Sequence, residues 1–205
     1  MTKRNTVLSL LLVVGMTTVL GAATSLSMKY NTHANTIHEM KENELVVEKV
    51  IMKMIAYYGN DLKRTHHALK VHNFARTIAK LEGLSSEEQL TLEIAAVLHD
   101  IGIPESERKY NSSAAGYQEK EGPPIARELL KDLDLDKKMV ERVCFMIGHH
   151  HTYEKVDKTD FQILFEADFL VNMYEGRAGK DRIIERQKKM FKTKTGNAIL
   201  NSMMN

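Results

Sequence analysis

The sequence predicts an all-α fold. Apolar residues recur at helical spacing in seven stretches, and no comparable series of alternating strands is present. The run from Ser85 to Glu88 has the pattern of a capping box that starts a helix. With 205 residues, of which 43% are hydrophobic, the chain is long enough for one substantial core. The seven stretches are Leu45–Tyr58, Leu62–Leu81, Leu90–Leu98, Ile125–Leu133, Met139–Ile147, Phe161–Tyr174 and Ile183–Phe191.

The second stretch carries a histidine on its apolar face. Val71 and Ile78 follow His67 at helical spacing, so the side chain of His67 is expected to point into the core. An inward histidine taken alone is most often a satisfied core residue. Its significance therefore depends on which other polar side chains reach the same place.

The third stretch ends in the pair His99-Asp100. Gly102 and Pro104 follow and mark a helix end. Neighbouring side chains diverge along a helix, but at a terminus the backbone turns and both can converge on one target. The alternative is that His99 interacts with the helix dipole while Asp100 starts a turn.

The sixth stretch places an acid, Asp168, inside a strongly apolar helix. A buried carboxylate needs a partner. Imidazole and carboxylate together suit a divalent ion, so His67, His99, Asp100 and Asp168 are the predicted metal ligands. These ligand types fit manganese, iron, cobalt, nickel, magnesium or zinc and do not choose among them.

This series of one histidine, the His99-Asp100 pair and a distant Asp168 resembles the HD-domain superfamily of metal-dependent phosphohydrolases. The signature is similar to that of small stand-alone bacterial members that read HDIG, here His99 to Gly102. The resemblance covers about residues 42–196. It implies a compact HD-domain helical bundle with one metal centre.

Members of this family with two or more metals carry further histidines, which makes part of the His149-His150-His151 run a candidate second site. We expect His149 and His150 as its ligands, with Glu119 as an oxygen ligand. The alternative for the histidines is an exposed helix end, and for Glu119 a solvated loop acid. Residues 105–121 are polar and are predicted to form a loop over the site, after which Pro123-Pro124 would open the next helix.

The predicted activity is hydrolysis of a small phosphate ester, with nucleotides favoured by the resemblance. The metal and Asp100 would activate a water for attack on phosphorus, while Arg64 and Lys70 steady the phosphate charge. Solvated helix charges are the alternative for these two cations. Two other functions stay open: a non-catalytic, metal-stabilised sensor or interaction domain, and an HD-type di-iron oxygenase. A net charge of only +2, with both signs interspersed, argues against a nucleic-acid partner.

The N-terminus predicts a segment separate from this domain. Asn5–Met28 contains no charged residue, residues 7–23 are strongly apolar, and Lys3-Arg4 precedes them. This is typical of a signal peptide or a membrane anchor. We expect residues 1–39 to serve localisation and residues 40–205 to form the phosphohydrolase domain. The protein would be anchored or exported, or cytoplasmic if translation starts at Met40; the sequence does not indicate an oligomeric state.

Overall fold

A computed structural model describes residues 35–176 and 190–204 of the chain, and all the regular structure in those ranges is helical. The predicted all-α fold is confirmed. Contacts divide the chain into two units, Met1–Glu42 and Asn43–Asn205. Residues 35–42, in the first unit, are helical and exposed.

The second unit contains the helices that position the site. Residues 43–58 are helical and are called α1. A short 3-10 turn, Tyr153–Lys155, precedes α7. The other helices are α2 Leu62–Glu82, α3 Ser86–Leu98, α4 Ile103–Tyr110, α5 Ala115–Leu130, α6 Lys137–Ile147, α7 Thr159–Tyr174 and α8 Lys194–Met204.

The centre of this unit is α3, which is mostly apolar and is buried on every side from Leu90 to Leu98. It packs against α2, α6 and α7, and α2 also packs against α7. The start of α3 is the predicted capping box: Ser85 accepts from the backbone N–H of Glu88, whose carboxylate accepts from the N–H of Ser85. Because α3 is surrounded by helices, its C-terminal end opens onto side chains from its neighbours.

The prediction of a loop over residues 105–121 is wrong. Most of this range is helical, in α4 and the first part of α5, and only 111–114 connect the two. Pro104 is tolerated because it lies in the first turn of α4. Glu105 pairs with Arg108 at 2.7 Å and with Lys109 at 3.1 Å, one helical turn away. Much of this polar sequence therefore forms the exposed faces of two helices.

The prediction that Pro123 and Pro124 open a helix is wrong. Both lie inside α5. Proline in a helix interior removes a hydrogen bond and is normally disruptive. Here α5 is held by close packing on the turn after α3, where the Gly102 and Gly122 backbones meet. A Cβ placed on Gly102 would lie 2.6 Å from the backbone nitrogen of Gly122. Tertiary contact thus overrides the local preference.

The other predictions concern segments of which little or nothing is described. Within 35–176 and 190–204, no helix is both long and apolar enough for a bilayer crossing. The apolar stretch 7–23 lies outside the described residues, so the signal or anchor stays a prediction. Most of the seventh apolar stretch, residues 183–189, also lies outside them.

Candidate metal centre

The four predicted ligands meet where α2, the end of α3 and α7 converge. His67 comes from α2, His99 caps α3, Asp100 follows it, and Asp168 comes from α7. The Nε2 atom of His67 lies 3.2 Å from Nε2 of His99 and 3.1 Å from Oδ1 of Asp168. His67, His99 and Asp100 are buried. The structure therefore brings all four side chains to one point inside the bundle.

The spacing of these atoms suits a single divalent ion. Asp100 Oδ2 is 3.6 Å from Nε2 of both histidines, and Asp168 Oδ1 is 3.5 Å from Nε2 of His99. Ligands bonded at 2.0–2.2 Å are separated by about 3.0 Å in an octahedral site and about 3.4 Å in a tetrahedral one. The observed separations lie close to this range.

The hydrogen bonds of the two histidines decide which nitrogen faces the centre as an acceptor. Nδ1 of His99 lies 2.8 Å from the carbonyl oxygen of Ala96, which only accepts, so this nitrogen carries the proton. Nδ1 of His67 lies 3.2 Å from a carboxylate oxygen of Glu175 and is assigned the same tautomer. The two Nε2 lone pairs then face each other. Such an arrangement is repulsive unless a proton or a cation lies between them.

The electrostatics favour a cation at this position. Burial opposes protonation of His99, but Asp100 and Asp168 outweigh it and raise its pKa to about 9. Burial likewise opposes ionisation of both acids, yet the neighbouring imidazoles hold the pKa of each carboxyl below its ordinary value. A divalent ion that replaced the proton on His99 would balance the negative charge of the two carboxylates.

A second group of candidate ligands adjoins the first. Asp100 Oδ1 lies 3.4 Å from Nε2 of His150, while its other oxygen faces His67 and His99. Nδ1 of His150 donates to the carbonyl of Ile147 at 2.8 Å, which leaves Nε2 as a buried acceptor with no hydrogen-bond partner among the residues that the structure describes. The ligand atoms of Asp100, His150 and His151 lie within 4.8 Å of one another. Asp100 thus offers one oxygen to each group.

The structure does not bring His149 or Glu119 to this second group. Nδ1 of His149 donates to the carbonyl of Phe145 at 2.7 Å, and its ring packs on the Phe145 ring. Glu119 instead accepts from the hydroxyl of Thr152 and the backbone N–H of His151. His151 takes the expected place of His149. Burial and His150 lower the pKa of His151 to about 4, so its ring is neutral at pH 7.

A cavity of about 780 Å³ opens over the centre. Its wall includes Arg64, Asp168 and His150, together with the rings of Phe165 and Phe169. Arg64 is the predicted cation that the structure places beside the site.

The guanidinium of Arg64 is held between two carboxylates. It pairs with Asp61 and, at 2.6 Å, with Glu107. Lys70, the other predicted cation, does not line the cavity. It pairs with Glu175 at 2.6 Å, on the Nδ1 side of His67. Lys70 therefore lies behind His67 and does not face the predicted phosphate position.

Sequence reasoning missed Asn172 and Glu175, and from the histidine run it chose His149 and His150 and left out His151. Nδ2 of Asn172 donates to Asp168 Oδ1 at 2.8 Å and orients that carboxylate. Asn172 and Glu175 follow Asp168 by four and seven residues, which places them on the same face of α7. That spacing was a usable signal, whereas nothing in the spacing distinguishes His151 from His149.

Comparison with known proteins supports the same interpretation. No curated protein and no solved structure matches the chain. A family model described as the HD domain matches residues 64–175, more than half of the chain, and this range contains His67, His99, Asp100 and Asp168. Members of this superfamily are mostly metal-dependent hydrolases. The protein therefore belongs to the HD-domain superfamily.

Proposed function

We propose that the protein is a metal-dependent phosphohydrolase that cleaves a small phosphate ester, with nucleotides as the first candidates. The observation that carries this proposal is the pair of Nε2 atoms of His67 and His99, 3.2 Å apart, flanked by two carboxylates at the base of a cavity. A site built only for packing has no reason to place two imidazoles and two acids together. Membership of the HD-domain superfamily supports the hydrolytic chemistry.

The roles of the residues follow from their positions. His67, His99, Asp100 and Asp168 would hold the ion, and Asp100 also faces His150. When bound, a divalent ion supplies Lewis-acid chemistry, which acidifies water and polarises a phosphoryl oxygen. In the overall reaction a water oxygen forms a bond to phosphorus, the ester P–O bond breaks, and the departing oxygen leaves as an alcohol after gaining a proton.

Arg64 would bind the phosphate. It lines the cavity, and its planar guanidinium is held in one orientation by Asp61 and Glu107. A fixed guanidinium loses little rotational freedom when a phosphoryl oxygen replaces one of its carboxylate contacts. We therefore assign substrate binding to Arg64, without Lys70.

The cavity also restricts the size of the substrate. A volume of about 780 Å³ falls within the usual range for small-molecule sites. Phe165 and Phe169 give one part of the wall an aromatic character that suits the organic part of a phosphate ester. The size and this apolar wall favour a single small molecule over a nucleic-acid strand.

The test is a hydrolysis screen with the full-length protein, stripped of metal and reloaded separately with manganese, iron, cobalt, nickel, magnesium or zinc. Substrates are p-nitrophenyl phosphate, bis(p-nitrophenyl) phosphate and a panel of nucleotides. We expect turnover with at least one metal and its loss in Asp168→Asn. Arg64→Met should raise KM, whereas Arg127→Met, which removes a surface arginine paired with Glu141, should not.

Two outcomes would overturn this proposal. Stoichiometric metal binding without turnover of any substrate would identify a metal-stabilised sensor or interaction domain. Oxygen consumption by the iron-loaded protein, without phosphate release, would identify a di-iron oxygenase.

A further inference from the structure

The histidines that face the centre are oriented in two different ways. His99 and His150 each donate Nδ1–H to the carbonyl three residues earlier, Ala96 and Ile147 respectively, both at 2.8 Å. Those carbonyls belong to the last turns of α3 and α6, where backbone acceptors have no partner within the helix. A histidine at a helix end thus finds its orienting acceptor in its own backbone.

His67 has no such acceptor. It lies inside α2, where the carbonyl three residues earlier is already used by the helix. A side chain must therefore supply the acceptor, and Glu175 does so: its Oε2 lies 3.2 Å from Nδ1 of His67. His67 is 1% exposed and the Glu175 carboxylate only 12%, so water does not readily replace this contact.

The contact is built by the helix that also carries Asp168. Asp168 Oδ1 lies 3.1 Å from Nε2 of His67, so α7 contacts both ring nitrogens, with Asp168 on one side and Glu175 two turns later on the other. Glu175 ends α7, and Gly176 follows with a φ of 71°, a left-handed conformation that turns the chain away. The helix therefore ends at the residue whose carboxylate contacts His67.

Lys70 completes the arrangement. Its ammonium lies 2.6 Å from the second oxygen of Glu175 and 5.6 Å from the centre of the Tyr174 ring. Lys70 is three residues after His67, on the same side of α2. Because the ammonium holds one oxygen of the Glu175 carboxylate, that carboxylate cannot turn away from His67 without losing an ion pair.

We propose that Glu175 is a positioning residue that fixes the tautomer and ring orientation of His67 for metal binding, and that Lys70 holds Glu175 in place. The inference rests on the proposed metal centre. A carboxylate behind a metal-binding imidazole makes the imidazole a more basic ligand, which a backbone carbonyl does less strongly. His67 is therefore the ligand whose strength is set by a side chain, and Glu175 tunes the affinity of the site without contacting the ion.

The experiment measures zinc affinity of the full-length protein by competition with a chelator. Replacing a residue of this kind typically weakens metal binding about 10- to 100-fold, and we expect that range for Glu175→Ala. Glu175→Gln keeps the shape and an acceptor oxygen but not the charge, so its loss should be smaller. Lys70→Met should also weaken binding, by less than about tenfold. The matched control is Glu141→Gln, which changes a surface carboxylate paired with Arg127.

A second measurement separates positioning from a general loss of structure. Nuclear magnetic resonance of the zinc-loaded protein, labelled at its histidine nitrogens, should show an exchange-protected Nδ1–H proton for His67. This signal should shift or vanish in Glu175→Ala and Glu175→Gln, while the Nδ1–H signal of His99 stays in place. If Glu175→Ala does not fold, Glu175→Gln gives the answer.

The outcomes distinguish this inference from the proposed function. If the wild-type protein binds zinc and both Glu175 variants bind it equally tightly with the His67 signal unchanged, the positioning role is refuted and the metal centre stands. If the wild-type protein binds no divalent ion, both proposals fail.

Discussion

Replacing Gly102 by alanine should damage the metal centre through the packing of α5. A Cβ at this position would lie 2.4 Å from the carbonyl oxygen of Gln118 and 2.6 Å from the nitrogen of Gly122. Both are backbone atoms, so no side-chain rotation relieves the overlap. Restoring an ordinary contact requires α5 and the turn after α3 to separate by roughly 1 Å.

The magnitude follows from this displacement. Overpacking of a core contact costs about 1–3 kcal/mol, and contact with two backbone atoms places Gly102→Ala near the upper end. For a chain of this size, about 3 kcal/mol corresponds to a fall in Tm of about 6–12 °C. Gly102 lies two residues after Asp100, so the same shift moves a ligand. Because metal–ligand distances tolerate only about 0.2 Å, metal affinity should fall about tenfold or more.

The assay is thermal unfolding of the metal-free protein together with metal titration. Gly116→Ala is the matched control, since Gly116 lies in α5 and a Cβ there has no atom within 4 Å. The control should be unchanged or more stable by up to about 1 kcal/mol. If Gly102→Ala matches Gly116→Ala in both Tm and metal affinity, the close contact does not support the site.

The remaining predictions concern protons, the second ligand group and the contact of Glu166 with the backbone that precedes α8. Burial opposes protonation of His99, but two carboxylates outweigh it and raise the pKa of His99 to about 9. The protonated His99 therefore stabilises the metal-free protein fully below about pH 6.5, and this stabilisation is lost as the pH rises through about 9. Metal binding at pH 7 should therefore release a proton. Calorimetric titration in buffers of different ionisation enthalpy measures this release, and identical heats of binding in all buffers would contradict the prediction. His150→Ala should lower the metal content by one ion and His149→Ala should not, as elemental analysis will show; equal contents would argue against the second site. Glu166 is fully buried and accepts hydrogen bonds from the backbone N–H groups of residues 192 and 193. Glu166→Ala should therefore lower the free energy of unfolding by about 2–4 kcal/mol, as measured by denaturant unfolding. A decrease below about 0.5 kcal/mol would show that these hydrogen bonds do not hold the C-terminal segment.

Two of the candidate ligands were predictable because each is a polar residue within an apolar stretch of the sequence. His67 lies on an apolar stripe, and Asp168 interrupts a run of large apolar residues. A polar side chain on a buried face is costly unless it is paired, so residues of this kind indicate a site from the sequence alone. The His99-Asp100 pair was recognisable for another reason, the helix end marked by Gly102.

Periodicity predicted the end of α5 through Ile125–Leu133, but it did not predict α4 or the first part of α5. α4 has eight residues, of which only Ile103 and Ser106 are buried, too few to show a repeating stripe. Its stability comes from packing against α5, a contact with no local signature. Pro123 wrongly predicted the start of a helix. The preference of proline for a first helical turn was overridden by the contact of Gly122 with Gly102.

The members of the second ligand group could not be predicted from the spacing of residues in the sequence. His149 and His150 are adjacent at the end of α6, and the path of the backbone after Ile147 decides which ring faces Asp100. Glu175 was missed for a different reason. It lies at the end of the helix, seven residues after Asp168, and an acid at a helix end is ordinarily solvated.

The central claim is that His67, His99, Asp100 and Asp168 bind one divalent ion, and anomalous diffraction from crystals grown with manganese or zinc tests it most directly. We expect a strong anomalous peak within about 2.0–2.2 Å of Nε2 of both histidines and of one oxygen from each acid. No peak at this position, in crystals whose anomalous signal lies on other histidines, would contradict the claim.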